Sequence, residues 1–577
     1  MSQVLYLDNT TPDDLFSDNI KLFQHTLNNE QVSAFRNLSE LLAYISVTGA
    51  SELDIDHPYV VIINEKTLSL TTRKSEIPPG ASLSDLNTLD FEDISLLLTT
   101  HYKHLNVLAY SLAEFSITKV NTDIKNYHET LKNRIIRMKT WCGLNNSKVK
   151  KCPCLHTMTN CLNIILQNDF PSSTKLRHFV TLINNEIDFM SLLTLPQSKE
   201  YYLYCIGNWG FIAHELTCDE LTFCALSIFK NCFSILEPTS PLILDDNSIL
   251  SFLFSLRDSY RGGNAFHNFR HAVDVLQATF YFLLRIQTLP RFKEFTESMH
   301  LHPNDQIRQT NHHFKAHIPN FSKDDSILDP IQSLALLVAS VGHDVGHPGL
   351  TNDFMNKNKT PISKVYSTNS TLENYHSTIF QDILSNHWPA FLDNQYTTDK
   401  KLPLNTNVLQ VESIIATDMA NHFEYIGKIN DIGKVLADPV QRRSIKTNLK
   451  HTSTLLSLII KCADISNVAR PLTVSARWGV VLTREFDEIQ QLNENLHGKL
   501  DLNALNDNRE FPKFSKDIED AFAEFPKLFN GQLFFITTFA DSLFKECANA
   551  LPELKFSADI LESNRKFWVD RRDNFMS

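Results

Sequence analysis

The apolar positions of the chain follow one pattern in the first 120 residues and another in the rest. In the first part, short runs rich in β-branched or aromatic residues occupy residues 4–8, 58–64 and 105–110. Amphipathic segments of helical spacing lie between the first two runs. Such alternation is typical of a parallel sheet with crossover helices. We therefore predict a small α/β domain over residues 1–120.

From about residue 120 onward, apolar residues recur at the spacing of amphipathic helices. The clearest segments are residues 219–236, 331–341, 371–385, 408–420 and 453–463. This pattern predicts a helical linker region with a cysteine-containing loop over residues 121–195. It also predicts an all-α domain over residues 196–577.

Length and charge narrow the possible classes of function. At 577 residues the chain exceeds one compact core, so two or three domains are expected. The net charge of −12 argues against nucleic-acid binding, because proteins of that class need clustered cations to displace counterions. No run of about 18 apolar residues occurs, so no membrane span is predicted.

The first ten residues and the pattern of cysteines predict where in the cell the protein is located. The first ten residues have neither the basic flank nor the long apolar stretch of a secretory signal. Ten cysteines are scattered without the spacing of a disulfide scaffold, so we expect a cytoplasmic protein, with a nuclear location also compatible. A lysine-rich stretch contains Cys142, Cys152, Cys154, His156 and Cys161. Their spacing fits no standard zinc finger, so exposed reduced thiols are favoured over a zinc knuckle.

Histidine and acidic residues recur in four short motifs, HNFRHAVD, HDVGH, LENYH and KCADISN. The candidate functional side chains are His267, His271, His343, Asp344, His347, Glu373 and Asp464. Residues four apart share one face of a helix, so each histidine pair is expected to point to one side. Burying these groups is costly unless a cation compensates, and imidazole and carboxylate bind zinc-like and magnesium-like ions. The set predicts a dinuclear metal site that activates water for a hydrolysis.

Five longer motifs carry a family resemblance. They are YRGGNAFHNFRHAVDV, HDVGHPGLTNDF, STLENYH, ATDMANHF and KCADISNVARP, in that order. With them the chain resembles the class I cyclic-nucleotide phosphodiesterases from about residue 205 to its end, and within that class the fungal high-affinity cAMP enzymes. The resemblance implies an HD/PDEase-type helical bundle that hydrolyses 3′,5′-cyclic AMP to 5′-AMP and so lowers cAMP signalling. The N-terminal third lies outside it.

The resemblance also implies a role for each motif residue. The ligands of a tight, zinc-like site are His271, His343, Asp344 and Asp464. Asp344 would bridge to a second ion, magnesium or manganese, whose waters are oriented by the side chains of His347, Glu373 and Thr417. The nucleophile would be a metal-bridged hydroxide, and His267 would be the general acid that protonates the leaving 3′-oxygen.

A base pocket is implied as well. Gln532 matches the glutamine that binds the purine, and its amide can both donate and accept hydrogen bonds. Phe535 matches the aromatic residue that stacks on the base, and Leu482 matches the apolar residue on the other face. Phe486, four residues after Leu482, is expected to line the same pocket. Asn467 matches a position that contacts adenine in cAMP-selective members, so cAMP is the expected substrate.

Two residues depart from the commonest form of these motifs. Phe266 stands where many members have tyrosine, and Tyr375 stands where many have histidine. Neither is an expected ligand, so the departures concern fine tuning of the reaction.

Two other functions fit part of the pattern. An HD-type metal phosphohydrolase acting on another nucleotide would share the metal ligands, but Gln532, Phe535 and the HNFRHAVDV segment favour the cyclic-nucleotide enzyme. A non-catalytic nucleotide sensor would be expected to have lost a ligand or the acid, and every matched position here is chemically competent.

The first 120 residues resemble a receiver-like α/β domain in layout only. Receivers carry a phosphorylatable aspartate at the end of the third strand, and this chain has Asn64 followed by Glu65 there. The expectation is a pseudo-receiver without phosphotransfer, and a docking domain for a regulatory partner is the alternative.

Overall fold

In a computed structural model of the chain, the described residues are 3–27, 31–48, 59–64, 107–113, 115–125, 187–261, 263–290, 325–366, 370–393, 406–501 and 525–576, with shorter pieces between them. Of the predicted cysteine-containing loop, only Cys142 among the potential zinc ligands lies within the described residues. Glu65 lies outside them.

The first part of the chain forms a four-stranded parallel sheet. Its strands are β1 (Gln3–Leu7), β2 (Val32–Phe35), β3 (Tyr59–Ile63) and β4 (Val107–Ser111), in the order β2-β1-β3-β4. The helices described here are α1 (Asp13–Thr26), α2 (Leu38–Thr48) and α3 (Ile117–Lys125). Alternate residues of the central strands enter two separate apolar clusters, one on each face of the sheet. Burial on both faces explains the near-continuous apolar runs, and the predicted α/β layout is confirmed.

The remaining described chain is helical, as predicted. Its α-helices are α4 (Lys199–Ile206), α5 (Cys218–Phe233), α6 (Asp246–Ser259), α7 (Phe269–Arg285), α8 (Pro330–Gly342), α9 (Asn352–Lys357), α10 (Pro361–Val365), α11 (Thr371–His387), α12 (Pro389–Leu392), α13 (Thr406–Ile415), α14 (His422–Ala437), α15 (Pro439–Ser444), α16 (Leu449–Asp464), α17 (Leu472–Leu496), α18 (Leu528–Phe535), α19 (Asp541–Ala550) and α20 (Lys555–Met576). A π-helical turn (Ile536–Ala540) joins α18 to α19. Short 3₁₀ turns occupy Phe189–Leu192, Ala213–Glu215, Met419–Asn421, Ile445–Thr447, Ser466–Ala469 and Pro552–Leu554.

The centre of the helical part is built by α7, α8, α13 and α16. Helix α8 packs against both α7 and α13, and α16 packs against α7 and α13. Asp329 begins α8 with a capping box, and Pro330 follows at its first position, where proline costs no hydrogen bond. Gly342 lets α8 approach α11, because a Cβ there would overlap the ring of Phe380. These central helices end at the candidate site.

The predicted helix over 408–420 is shorter than expected. Helix α13 ends at Ile415, and Thr417 lies in the turn that follows. The ammonium of Lys461 on α16 binds the carbonyl oxygens of Ala416 at 2.9 Å and Asp418 at 3.1 Å. A cation from another helix therefore satisfies carbonyls of the turn that a longer helix would have paired internally.

One expectation for the linker region is wrong. Cys142 is not an exposed thiol, since it is 1% exposed within the apolar core of the helical part. Its neighbour Trp141 lies beneath the guanidinium of Arg261, with 4.8 Å from Cζ to the ring centre. Burial raises the pKa of the Cys142 thiol to about 12, so it stays protonated at neutral pH.

Candidate metal centre and substrate pocket

Four of the predicted ligand residues converge at one point. His271 lies on α7, His343 is the first residue after α8, Asp344 follows it, and Asp464 is the last residue of α16. Oδ1 of Asp464 is 3.2 Å from Nε2 of both histidines. Oδ2 of Asp344 is 3.3 Å from Nε2 of His343 and 3.7 Å from Nε2 of His271. Two nitrogens and two oxygens thus surround a common centre.

The spacing of these atoms fits a metal ion. Zinc binds imidazole nitrogen and carboxylate oxygen at roughly 2.0–2.2 Å, so tetrahedral ligands lie about 3.3–3.6 Å apart. The four distances of 3.2, 3.2, 3.3 and 3.7 Å are close to that range. The donor set, two histidines and two aspartates, therefore fits a divalent cation.

The backbone fixes the tautomer of His343. Its Nδ1 donates to the carbonyl oxygen of Ser340 at 2.9 Å, so its Nε2 faces the centre. Burial lowers the pKa of this ring, but the charges and hydrogen bonds of Asp344 and Asp464 raise it well above its usual range, and a metal ion would take the place of the Nε2 proton. Burial would raise the pKa of Asp344, but the charge and hydrogen bond of His343, with the charge of His267, hold it well below its usual range. Asp344 is therefore a carboxylate at neutral pH.

His376 is a functional candidate that the sequence reasoning missed. Its Nδ1 donates to the carbonyl oxygen of Val345 at 2.8 Å, and its Nε2 lies 3.8 Å from Oδ1 of Asp344. Asp344, His347 and His376 form a second group whose ligand atoms all lie within 4.8 Å of one another. The signal was present, because LENYH ends in this histidine beside the unusual Tyr375.

The prediction that each histidine pair shares one helical face is wrong. His267 precedes Asn268, the N-cap of α7, and His347 lies beyond the end of α8. The two rings are instead stacked on each other, with centroids 3.9 Å apart. The amide of Asn264 donates to the carbonyl oxygens of His267 at 2.8 Å and His347 at 2.7 Å. Tertiary contacts, rather than helical periodicity, bring these residues together.

Glu485 on α17 contacts the predicted acid, and the sequence reasoning missed it too. Its Oε1 forms a short hydrogen bond with Nδ1 of His267, and its Oε2 accepts from the backbone nitrogens of Phe266 at 2.8 Å and His267 at 3.1 Å. Burial lowers the pKa of His267, but the charge and hydrogen bond of Glu485 raise it to about 9. His267 is therefore a cation at neutral pH, with Nε2 turned away from Glu485.

His347, unlike His267, is neutral at neutral pH. Its Nδ1 accepts from the backbone nitrogen of Gly349 at 3.0 Å, so the ring proton of the neutral form is on Nε2. Burial, together with the charge of His267, lowers the pKa of His347 well below its usual range. Gly349 has φ +72°, and a Cβ there would lie 2.8 Å from Oδ1 of Asn264. Glycine is required at this turn.

Glu373 and Thr417, the two other residues predicted to orient water, lie on separate elements. Glu373, in the first turn of α11, accepts from Nδ2 of Asn352 at 2.9 and 3.1 Å. Burial, with the charge of Asp418, raises the pKa of Glu373 to about 8. The hydroxyl of Thr417 donates to the carbonyl oxygen of Ile414 at 2.8 Å. Its oxygen can still accept a hydrogen bond.

The predicted base-pocket residues differ in burial. Gln532 on α18 is 3% exposed, and its Oε1 has no hydrogen-bond partner among the described residues. Asn467 is buried, and Leu482 and Phe535 are half-buried against the apolar core. Phe486 is 51% exposed, so half of its surface is not covered by the protein and it does not form a closed pocket wall.

A model of the 3′5′-cyclic nucleotide phosphodiesterase family matches residues 266–561, which is half of the chain. The chain belongs to this family. The match covers the metal centre, His267 and every predicted base-pocket residue. It confirms the resemblance drawn from the five motifs and assigns the phosphodiesterase reaction to this fold.

Relatives of the phosphodiesterase cover most of its length. The 3′,5′-cyclic-nucleotide phosphodiesterase 2 of Saccharomyces cerevisiae is 30% identical over 80% of this chain and 78% of its own. A cGMP-specific 3′,5′-cGMP phosphodiesterase 3 of Dictyostelium discoideum is 29% identical over 57% of this chain and 56% of its own. The crystal structure of yeast caPDE2 matches with a TM-score of 0.80 at 33% identity, over 99% of this chain and 100% of the other.

None of the helices in the described ranges is long and apolar enough to cross a membrane.

Proposed function

We propose that this phosphodiesterase hydrolyses 3′,5′-cyclic AMP to 5′-AMP, with His267 as general acid. The observation that carries the proposal is the convergence of two imidazole nitrogens and two carboxylate oxygens, spaced 3.2–3.7 Å apart, beside a histidine held protonated by Glu485. Hydrolysis of a phosphodiester needs both a way to make hydroxide and a proton for the leaving oxygen.

The proposed ligands of the tight, zinc-like site are His271, His343, Asp344 and Asp464. Asp344, beside His376, would also be a ligand of a second ion, magnesium or manganese. When bound, two such ions would lower the pKa of a water molecule and neutralise the phosphoryl oxygens. Glu373, Thr417 and Nε2 of His347 offer the hydrogen bonds that would orient water at that second position.

His267 is suited to deliver the proton. The departing 3′-oxygen is a poor alkoxide and needs protonation as the bond breaks. Glu485 holds Nδ1 of His267 and stabilises the imidazolium, so the proton on Nε2 is available to the substrate. Asn264 and the stacked ring of His347 keep the imidazole at the edge of the metal centre.

The proposed base pocket contains Gln532, Phe535, Leu482, Phe486 and Asn467. The unpartnered oxygen of the Gln532 amide is buried, and a buried acceptor without a partner favours a ligand that donates to it. The exocyclic amine of adenine is such a donor. A bound base would cover part of the exposed ring of Phe486.

The N-terminal sheet is proposed to regulate the enzyme or dock a partner, with domains over residues 1–120, 121–195 and 196–577. Asn64 stands at the end of β3, where its amide donates to Oδ2 of the buried Asp8 at 3.0 Å. An amide cannot accept a phosphoryl group as a carboxylate does, so the domain would work without phosphotransfer. The cytoplasmic location stays a prediction.

The test is hydrolysis of cAMP and cGMP side by side, with and without a chelator. The proposal expects 5′-AMP without free phosphate, a higher kcat/KM for cAMP than for cGMP, and loss of turnover in the chelator that added zinc and magnesium restore. Free phosphate as a product would favour the HD-type phosphohydrolase on another nucleotide. Equal kcat/KM values for the two substrates would overturn the preference for adenine.

A further inference from the structure

Gly479, inside α17, faces the carboxamide of Gln532 on α18. A Cβ on Gly479 would lie 2.5 Å from Nε2 of Gln532 and 3.0 Å from its Cδ. Ordinary van der Waals contacts begin at 3.4 Å, so the amide nitrogen would have to move by about 0.9 Å. Glycine is an unfavourable residue in a helix interior, and its place at this one contact indicates a specific role.

We propose that Gly479 is a positioning residue for the base-binding glutamine. Its missing side chain lets the amide of Gln532 lie flat against α17, in the orientation that meets the purine base. The inference rests on the proposed function, because it takes Gln532 as the residue that binds the base.

The amide needs such a surface because a hydrogen bond does not hold its oxygen. Oε1 of Gln532 has no partner among the described residues, although the side chain is only 3% exposed. The direction of a buried amide is then set largely by the shape of its surroundings. At Gly479 that shape is bare helix backbone.

Helix α17 cannot retreat from an added methyl group. Trp478, the neighbour of Gly479, is 1% exposed, and its ring packs against Phe266 at 5.4 Å and His271 at 5.8 Å between centroids. Backing α17 away would disturb that packing at the metal centre. The flexible end of Gln532 is the group that can give way, so the cost falls on the pocket rather than on the fold.

The test compares two glycine substitutions in the full chain. Gly479→Ala is expected to raise the KM for cAMP about tenfold, since one amide contact to the base is misplaced, with kcat within about threefold of the parent. Gly427→Ala is the matched control, because Gly427 is an exposed glycine inside α14 with nothing within 4 Å of an added Cβ. It should leave KM unchanged. Neither variant should lower the melting temperature, because alanine favours helix.

A double-mutant cycle identifies the path of the effect. In a Gln532→Ala background, Gly479→Ala is expected to leave KM unchanged, because the group it displaces is gone. A further tenfold rise in that background would overturn the inference, as would an unchanged KM in the single variant. A lowered melting temperature would mean that α17 had moved instead, which also overturns it. A parent that does not hydrolyse cAMP would contradict the proposed function itself.

Discussion

Two aspartate clusters in this chain, one around the buried Asp8 and one around the partly buried Asp464, differ in the atoms that face the carboxylate. Around Asp8, at the end of β1, the close neighbours in the described part of the chain are hydrogen-bond donors: Tyr6 Oη at 2.6 Å, Thr10 N at 2.9 Å, Thr10 Oγ1 at 3.1 Å, Thr11 N at 3.0 Å and Asn64 Nδ2 at 3.0 Å. Around Asp464, at the end of α16, the close neighbours are the Nε2 atoms of two histidines, both at 3.2 Å.

The difference shows what makes an acid inside the fold a ligand site. The carboxylate of Asp8 accepts hydrogen bonds from groups that keep their protons at neutral pH. Its charge is therefore stabilised without a cation. The imidazole of His343 already gives its Nδ1 proton to the backbone, and its Nε2 meets Asp464 with a lone pair unless a proton or a metal lies between them. Burial alone is therefore a weak sign of function, and the identity of the facing atoms decides.

Asp464→Ala should produce the largest effect. Removing one of four proposed ligands is expected to abolish tight metal binding and lower kcat by at least about a thousandfold, since even loss of outer partners of a metal site costs roughly 10–100-fold. Metal content by mass spectrometry and initial rates of cAMP hydrolysis measure both. Asp8→Ala, in the same assays, is the matched control for loss of a buried carboxylate. Stoichiometric tight metal in the Asp464 variant would refute its role as ligand.

His267→Ala separates the acid from the ligands within the catalytic cluster. We expect kcat to fall by about 10²–10⁴ while the metal content stays that of the parent, because proton delivery is lost and the four donor atoms remain. Steady-state kinetics with metal analysis on the same sample provides the measurement. If metal were lost as well, His267 would be a ligand and another group would have to supply the proton.

The elements that could be predicted from the sequence are those with a regular local spacing of apolar residues. Apolar spacing placed most helices, and alternating short runs placed the parallel sheet, because each element buries a face that its own sequence defines. The predicted ligands could be named because they belong to short motifs. Periodicity failed where a distant group ends an element, as at Thr417, where the ammonium of Lys461 binds the carbonyls of the turn.

Long-range pairs could not be predicted in this way. Glu485 and His267 are 218 residues apart, and Asn64 and Asp8 are 56 apart. Nothing local distinguishes a glutamate on a helix that will meet a histidine from one that will face water. Only the packing of α17 against the start of α7, or of β3 beside β1, makes each pair.

Glu485→Gln should have a smaller effect on catalysis and a distinctive pH signature. Burial lowers the pKa of His267, whereas Glu485 raises it to about 9. The protonated acid exists below its pKa, so without the carboxylate the alkaline limb of the kcat profile should move to lower pH, and kcat at neutral pH should fall about tenfold. Glu424→Gln, which removes an exposed carboxylate on α14, is the control. An unmoved limb would show that Glu485 does not set the pKa of the acid.

Asp8→Ala should leave catalysis unchanged and weaken only the sheet. Five donor groups would lose a buried acceptor, which should lower the free energy of opening of β1 and β3 by about 2 kcal/mol, measured by hydrogen exchange. Burial would raise the pKa of Asp8, but hydrogen bonds from Thr11, Tyr6 and Asn64 hold it well below its usual range.

The sign of that shift gives the Asp8 prediction a pH dependence. A depressed pKa means that the folded sheet binds fewer protons than the unfolded chain, so this contribution to stability is complete above the unfolded value of about 3.9 and is lost as the pH falls further. The difference in exchange between the parent and Asp8→Asn should therefore shrink below about pH 4. Loss of metal or a lower kcat in either Asp8 variant would contradict this interpretation. It would mean that the Asp8 cluster, whose carboxylate is bound by its own donors, affects the metal centre around Asp464.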